Sequence, residues 1–371
     1  MCVCFLASFL LLRSFNFLPD HGFSFSVHPK IAKVFFVVIF GFLITLTTTS
    51  FSVLGIRRIT EGNTQDTIPK SSPVDAVPQA KKPTFSSSTL TTLISFAILS
   101  TIVSLVSSII GLNSSIPKIA NTLLMLSSTL ASFVFGARLP PKVTKVVHPL
   151  VTCTSITWIV TKLLSLTAKT QFLDQLRLYR TGKLASLTTT GAGDILLFML
   201  GPSVVALACQ MYNRRTIMRK NIKEVATAVI VGSTAGGLFG TALLVRLVNL
   251  ASSTITLSLL PRNITSPLAM AIATLLGGAD VSLAVSMVVV SGLLGANFGA
   301  SILDKVGIHD PVARGLGIGA AAHGLGTAAF ANEPDAFPFS AIAMALTASL
   351  STVLVSVPLI RRTLIKIALG H

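Results

Sequence analysis

Arg262 lies between Pro261 and Pro267, beside Asn263 and close to Thr265, and is the only basic residue between Arg246 and Lys305. A guanidinium is a planar, bidentate partner for a carboxylate, and nearby amide and hydroxyl groups can hold hydroxyls of the same ligand. The alternative is a side chain that snorkels from a helix end to a membrane interface. His323 is the single ionisable residue in the run 315–327, which contains five Gly and three Ala and ends at Thr327. It can hydrogen-bond a carboxylate or carry a proton, or it can satisfy an interhelical hydrogen bond. In Gly201-Pro202-Ser203, Pro202 has no amide hydrogen and Gly201 tolerates unusual backbone angles, which predicts a break there. A half-helix starting at Pro202 would aim free amides at a carboxylate; a simple packing kink is the alternative. Asn297 interrupts an apolar stretch, either as ligand contact or as interhelical glue.

Other chemistries lack their parts. No hydrolytic triad assembles, and there is no H-E-x-x-H pair and no Asp-rich diphosphate motif; twelve acids in the whole chain leave metal chemistry short of ligands. The glycines after Asp310 follow no strand pattern, so they do not form a dinucleotide-binding loop. Cys2 and Cys4 have no second pair to complete a zinc site, and Cys153 and Cys209 fall in apolar runs as packing residues. No cofactor and no metal is expected.

The elements that must position these residues are membrane spans. Of 371 residues, 51% are hydrophobic and 11% charged, with 29 Lys and Arg against 12 Asp and Glu. A soluble domain has about a quarter of its residues charged, so a soluble enzyme is excluded. The net charge of +17 does not mark nucleic-acid binding: basic residues cluster between apolar runs, and one Trp and two Tyr make no stacking platform. Charge-poor stretches near 34–56, 90–111, 119–137, 146–168, 195–213, 225–249, 281–303, 312–330 and 338–360 read as spans. The stretch 251–277, interrupted by Pro261 and Pro267, reads as broken or re-entrant, because backbone freed at membrane depth must be buried in protein or line a cavity. The fold class is therefore an all-α polytopic membrane protein of about nine to ten segments, with broken or re-entrant helices and internal repeats. Met1–Leu12 is apolar with no basic residue ahead of it, so neither a signal-peptide n-region nor a transit-peptide composition is read there; a truncated membrane helix is the alternative.

Four ordered segments carry a family likeness: LGPSVVALACQMYNRR (200–215), SLLPRNITSPLAM (258–270), GLLGANFG (292–299) and DPVARGLGIGAAAHGLGTAA (310–329). Together they resemble the LrgB-like membrane family. LPPKVTKVVHPLVTC (139–153), GAGDILLFMLG (191–201) and EPDAFPFSAIAMALT (333–347) are similar to its plastidal glycolate/glycerate translocator branch, in which an LrgA-like half is fused to an LrgB-like half. The resemblance implies a domain plan of residues 1–58 as an N-terminal apolar segment and remnant of an LrgA-like helix, 59–88 as a polar linker and 89–371 as the transporter domain. Arg262-Asn263 replaces a Lys-Ser pair usual in bacterial relatives and keeps the positive charge. The implied activity is exchange of glycolate and glycerate across the plastid inner envelope in photorespiration; a holin-like or murein-hydrolase-regulator role, or carriage of another monocarboxylate such as pyruvate, is the alternative. Implied partners are these small carboxylates, protons, the lipid bilayer and further copies of the chain. The substrate site is expected at Arg262, Asn263, Thr265, His323, Thr327, Gly201, Pro202, Ser203 and Asn297.

Overall fold

The computed structural model describes residues 29–61, 85–110, 115–144, 149–182, 186, 188–199, 201–202, 205–206, 209, 212, 215–250 and 252–370. Residues 1–28 with Cys2 and Cys4, most of the polar linker, and Ser203 lie outside the described residues. Among the described residues there is no strand, and seven helices are long and apolar enough to cross a membrane. The chain is an all-α polytopic membrane protein. The further segments read from the sequence are those that are broken or short: 251–277, 312–330, and 195–213, of which part lies outside the described residues.

The chain divides into two compact units. In the first, α2 (Ser87–Ile109), α3 (Ser115–Arg138) and α4 (Pro149–Thr167) are followed by the short α5 (Phe172–Tyr179) and α6 (Ala192–Phe198). Their burial pattern is that of a protein dissolved in lipid. On α2 the buried positions are Ser100, Ser104 and Ser107, while Ile98, Leu99, Ile102 and Leu105 are exposed. On α4, Cys153, Thr157, Thr161 and Ser165 form a buried stripe at helical spacing and Ile159, Leu163 and Leu166 point outward. Where the solvent is as apolar as leucine, close approach of small residues and interhelical hydrogen bonds hold helices together. Ser104 donates to Asn121 Oδ1 at 2.7 Å, and Thr157 Oγ1 and the Cys153 thiol donate to Thr129 Oγ1 and O at 3.4 and 3.3 Å. Cys153 is thus a packing residue; Cys209 is exposed, which corrects its assignment to a packed interior.

Asp194 organises the end of this unit. Its buried carboxylate accepts from Thr181 N (2.8 Å), Thr181 Oγ1 (2.8 Å), Gly182 N (3.0 Å) and Gly191 N (3.0 Å). With four donors it is spent on holding the loop before α6, at whose positive N-terminal end a carboxylate is favoured.

The second unit contains α1 (Pro29–Glu61) with α7 (Ile222–Ser233), α8 (Phe239–Val248), α9 (Ser253–Leu259), α10 (Ser266–Leu276), α11 (Val281–Lys305), α12 (Pro311–Ala329), α13 (Phe337–Ser356) and α14 (Pro358–Leu369). Three of its helical paths are interrupted. A π turn at Thr234–Leu238, with Gly237 at φ −89°, ψ −109°, separates α7 from α8. The chain breaks over Leu260–Thr265 between α9, with 7 residues, and α10, with 11. At 1.5 Å per residue those are roughly 10 and 16 Å long, so neither alone crosses a hydrocarbon core of about 30 Å. Within α12, His323 is at φ 42°, ψ −139°. α12 is the buried axis of the unit: Ala313 to His323 are all buried. Its glycines permit that, since a Cβ at Gly315 or Gly319 would lie 2.2 Å from the carbonyl oxygen of Ala336 or Ser340 at α13.

Candidate functional site

The three interruptions meet at Arg262 and Asn263. Arg262 is fully buried, so it does not snorkel to a surface. Its Nη2 donates to Thr45 Oγ1 on α1 at 3.0 Å and to the Gly236 carbonyl in the π turn at 3.3 Å. Nε and Nη1 have no partner among the described residues, and no carboxylate there pairs with the guanidinium. Five N–H groups fan out from a guanidinium, so the protein uses one nitrogen and leaves the other two available. Thr45 also donates its own hydrogen, to the carbonyl of Gly41 at 2.8 Å or to that of Gly236. The guanidinium lies flat against α1 because position 41 is glycine: a Cβ there would be 2.5 Å from its central carbon.

Asn263 binds the other two breaks together. Its Nδ2 donates to the Gly232 carbonyl at 3.2 Å and to the Ala320 carbonyl at 3.0 Å. In an unbroken helix each carbonyl serves the amide four residues on. For Gly232 that amide lies inside the π turn, and for Ala320 it follows the distorted His323, so both oxygens that accept from Asn263 stand where the regular ladder is disturbed. Asn263 therefore ties the break before α10 to both distortions.

His323 is buried, and its Nε2 stands 2.8 Å from the Val288 carbonyl on α11. A carbonyl only accepts, so Nε2 carries the hydrogen. The interhelical hydrogen bond is thus present, and the backbone at His323 is in addition a strained one for a residue with a side chain. His323 is linked to Arg262 through Ala320, three residues earlier on α12, and Asn263.

The remaining expected residues fall around this centre or apart from it. Thr265 is the half-buried N-cap of α10, with no side-chain cap bond of its own. Thr327, buried on α12, donates to the Ser340 carbonyl at 3.3 Å. Asn297 is half-buried on α11. Gly201 and Pro202 belong to the first unit, are helical and exposed, and follow the end of α6 at Phe198. Sequence reasoning missed Gly41, Thr45, Gly236 and Ala320. The only signal was weak: Thr45 lies in the uncharged helix α1, and Gly236-Gly237 form one more small-residue pair in an apolar run.

Electrostatically the centre is unbalanced. Burying a cation without a counter-charge costs several kcal/mol even after relaxation. With α10 starting at Ser266, a helix N-terminus adds partial positive charge four residues from Arg262. The arrangement is suited to a small anion bearing further hydrogen-bonding groups.

A model of the LrgB-like family matches residues 129–360. The plastidal glycolate/glycerate translocator 1, chloroplastic, of Arabidopsis thaliana is 37% identical over 338 residues, covering 90% of this chain and 62% of that protein. The chain therefore spans less than two thirds of the length of that relative. The holin-like protein CidB of Staphylococcus epidermidis is 32% identical over 160 residues, 43% of this chain and 69% of that protein. The uncharacterized protein YwbG of Bacillus subtilis is 34% identical over 157 residues, 42% and 68% of the two chains. No solved structure matches the chain.

Proposed function

The chain belongs to the LrgB-like family, and on that premise we propose that it is a membrane carrier, not an enzyme, that exchanges small 2-hydroxy monocarboxylates across the inner envelope of a plastid. Glycolate and glycerate are the substrates this reading names, following the plant relative. The observation that carries it is Arg262: a wholly buried guanidinium with Nε and Nη1 unpartnered and no carboxylate paired with it among the described residues. A substrate carboxylate supplies the missing charge and accepts the N–H groups that the protein leaves free.

The mechanism follows from the seal around that residue. Nη2 is held by Thr45 and Gly236, and α1 covers the guanidinium face at Gly41. A carboxylate reaches Arg262 only when one of these elements moves, and the interrupted helices are the places where movement costs least continuous hydrogen bonding. Discontinuous helices that present a terminus and free backbone groups at mid-membrane are the recurring substrate sites of secondary transporters. Access alternates when the opening shifts from one face to the other. His323 is the group in this set that titrates near neutrality in water, and we assign it the role of secondary donor or proton site through Nδ1, which donates only once it takes a proton because Nε2–H is given to Val288. Thr265 and Thr327 supply hydroxyls near the breaks, and Asn297 is proposed to line the route.

The test is counterflow. Purified protein in liposomes preloaded with glycerate should accumulate labelled glycolate transiently, and faster than vesicles preloaded with pyruvate or malate. Vesicles that take up no labelled monocarboxylate under any preload contradict the carrier reading.

A further inference from the structure

Asn263 holds a second piece of unused hydrogen-bonding capacity. Both neighbours of Nδ2, the carbonyls of Gly232 and Ala320, are acceptors only. The amide therefore cannot be turned over, and the atom facing away from them is Oδ1. Oδ1 is buried with no partner among the described residues. A neighbour has matching capacity: Thr347 on α13 is 1% exposed and its Oγ1 is also unpartnered. A Cβ at Gly232 would lie 3.6 Å from that Oγ1, so Thr347 borders the same glycine whose carbonyl Asn263 holds. Asn263 directly follows Arg262, whose Nε and Nη1 are likewise unspent.

We infer that Asn263 reads the 2-hydroxyl of the substrate: Oδ1 accepts the O–H of an acid whose carboxylate is on Arg262, and Thr347 Oγ1 takes a second hydroxyl where the acid carries one. This rests on the carboxylate-carrier reading above and adds the residue that selects among carboxylates. The selection is chemical. Acetate presents a C–H where glycolate presents O–H. Pyruvate presents a carbonyl, which sets lone pairs against the lone pairs of Oδ1 and leaves a buried acceptor unsatisfied. Sites built to hydrogen-bond a hydroxyl reject analogues that lack it far more strongly than apolar pockets reject a missing methylene. Glycerate differs from lactate by one hydroxyl on C3, and that is the group assigned to Thr347.

The experiment uses the full chain in liposomes, with labelled glycolate counterflow and unlabelled competitors in matched pairs. Lactate should compete better than pyruvate, and glycolate better than acetate, each by roughly 10- to 100-fold, the range that an unpaired buried acceptor produces. Asn263→Ser, which withdraws the acceptor toward the backbone, should bring both ratios towards one; because ratios are read, a lower overall rate does not obscure the result. Thr347→Val should leave the lactate-to-pyruvate ratio intact and remove most of the advantage of glycerate over lactate. Wild-type protein on which pyruvate and acetate compete as well as their hydroxy partners overturns the inference, as does an unchanged ratio in Asn263→Ser. If that variant does not insert, the wild-type ratios and Thr347→Val decide: glycerate competing no worse in Thr347→Val than in wild type overturns the assignment. Counterflow without hydroxyl preference sinks this inference alone, whereas no counterflow with any monocarboxylate sinks the carrier reading.

Discussion

Two arginines in one unit show what a buried positive charge is for. Arg314, in the first turn of α12, is 7% exposed and completely engaged. Its Nε and Nη2 grip Glu333 at 2.9 and 2.8 Å, and Nη1 donates to Asp304 at 2.6 Å and to the Ile308 carbonyl at 2.9 Å. Two carboxylates from either side of α12 surround one guanidinium, which staples the approach to α12 and the turn after it. Arg262 is more deeply buried and has no ion pair among the described residues, only a threonine hydroxyl and a backbone carbonyl on one of its nitrogens. A structural cation is balanced by the chain itself. A cation left unbalanced at the meeting of three interrupted helices is positioned for an anion that comes and goes.

The sharpest way to break this contrast is to neutralise each arginine and follow thermal unfolding in detergent. Arg314→Gln leaves Glu333 and Asp304 without their partner and should lower stability by about 1–3 kcal/mol, less than for a fully buried pair because both carboxylates are partly exposed. Arg262→Gln removes a charge with no counter-charge and should raise the stability of the substrate-free protein by roughly 1–2 kcal/mol, the usual trade between a functional site and stability. Shifts of the same sign would remove the distinction. The same scan in saturating glycolate extends it: wild type and Arg314→Gln should gain stability from the ligand, and Arg262→Gln should not.

A smaller effect is expected at the wall behind Arg262. Gly41→Ala places a methyl group 2.5 Å from the guanidinium carbon and must displace it. Glycolate counterflow should drop about tenfold, consistent with roughly 1–3 kcal/mol for overpacking, while folding yield stays near wild type. Undiminished transport would mean that the seating of Arg262 against α1 is irrelevant to the site. The smallest effect concerns His323, whose φ of 42° favours glycine. His323→Gly relieves backbone strain but gives up the bond to Val288 and empties the space of the imidazole, so stability should change little, yet the pH dependence of exchange should flatten. A pH profile identical to wild type would remove His323 from the proton role.

The legibility of these features in the sequence follows their physics. The membrane fold was open to reading because charge scarcity and span length are properties of single segments, and Pro261 and Pro267 announced the break between α9 and α10 in the same local way. Arg262 stood out for the same reason, as a lone charge inside an apolar ladder. The partners of that charge were not legible. Thr45 and Arg262 are 217 positions apart, and nothing in α1 distinguishes Thr45 from the hydroxyl residues beside it, whose side chains bond their own helix. The π turn was hidden because Gly236-Gly237 fits close packing equally well. The break in α12 was not legible: 312–330 reads as one span, and the distortion falls on His323, beside bonds from Asn263 to Ala320 and from His323 to Val288 that no local pattern encodes. A break was expected at Gly201-Pro202; α6 ends at Phe198, and Gly201 and Pro202 are helical.

The most direct test of the account is glycolate–glycerate counterflow in liposomes carrying equal amounts of wild type, Arg262→Gln and Arg314→Gln, with insertion checked by protease protection. The account predicts that Arg262→Gln loses about 100-fold or more of the exchange rate, in line with removing a buried charge partner, while Arg314→Gln that remains folded exchanges at close to the wild-type rate per molecule. Arg262→Gln exchanging as fast as wild type would contradict it.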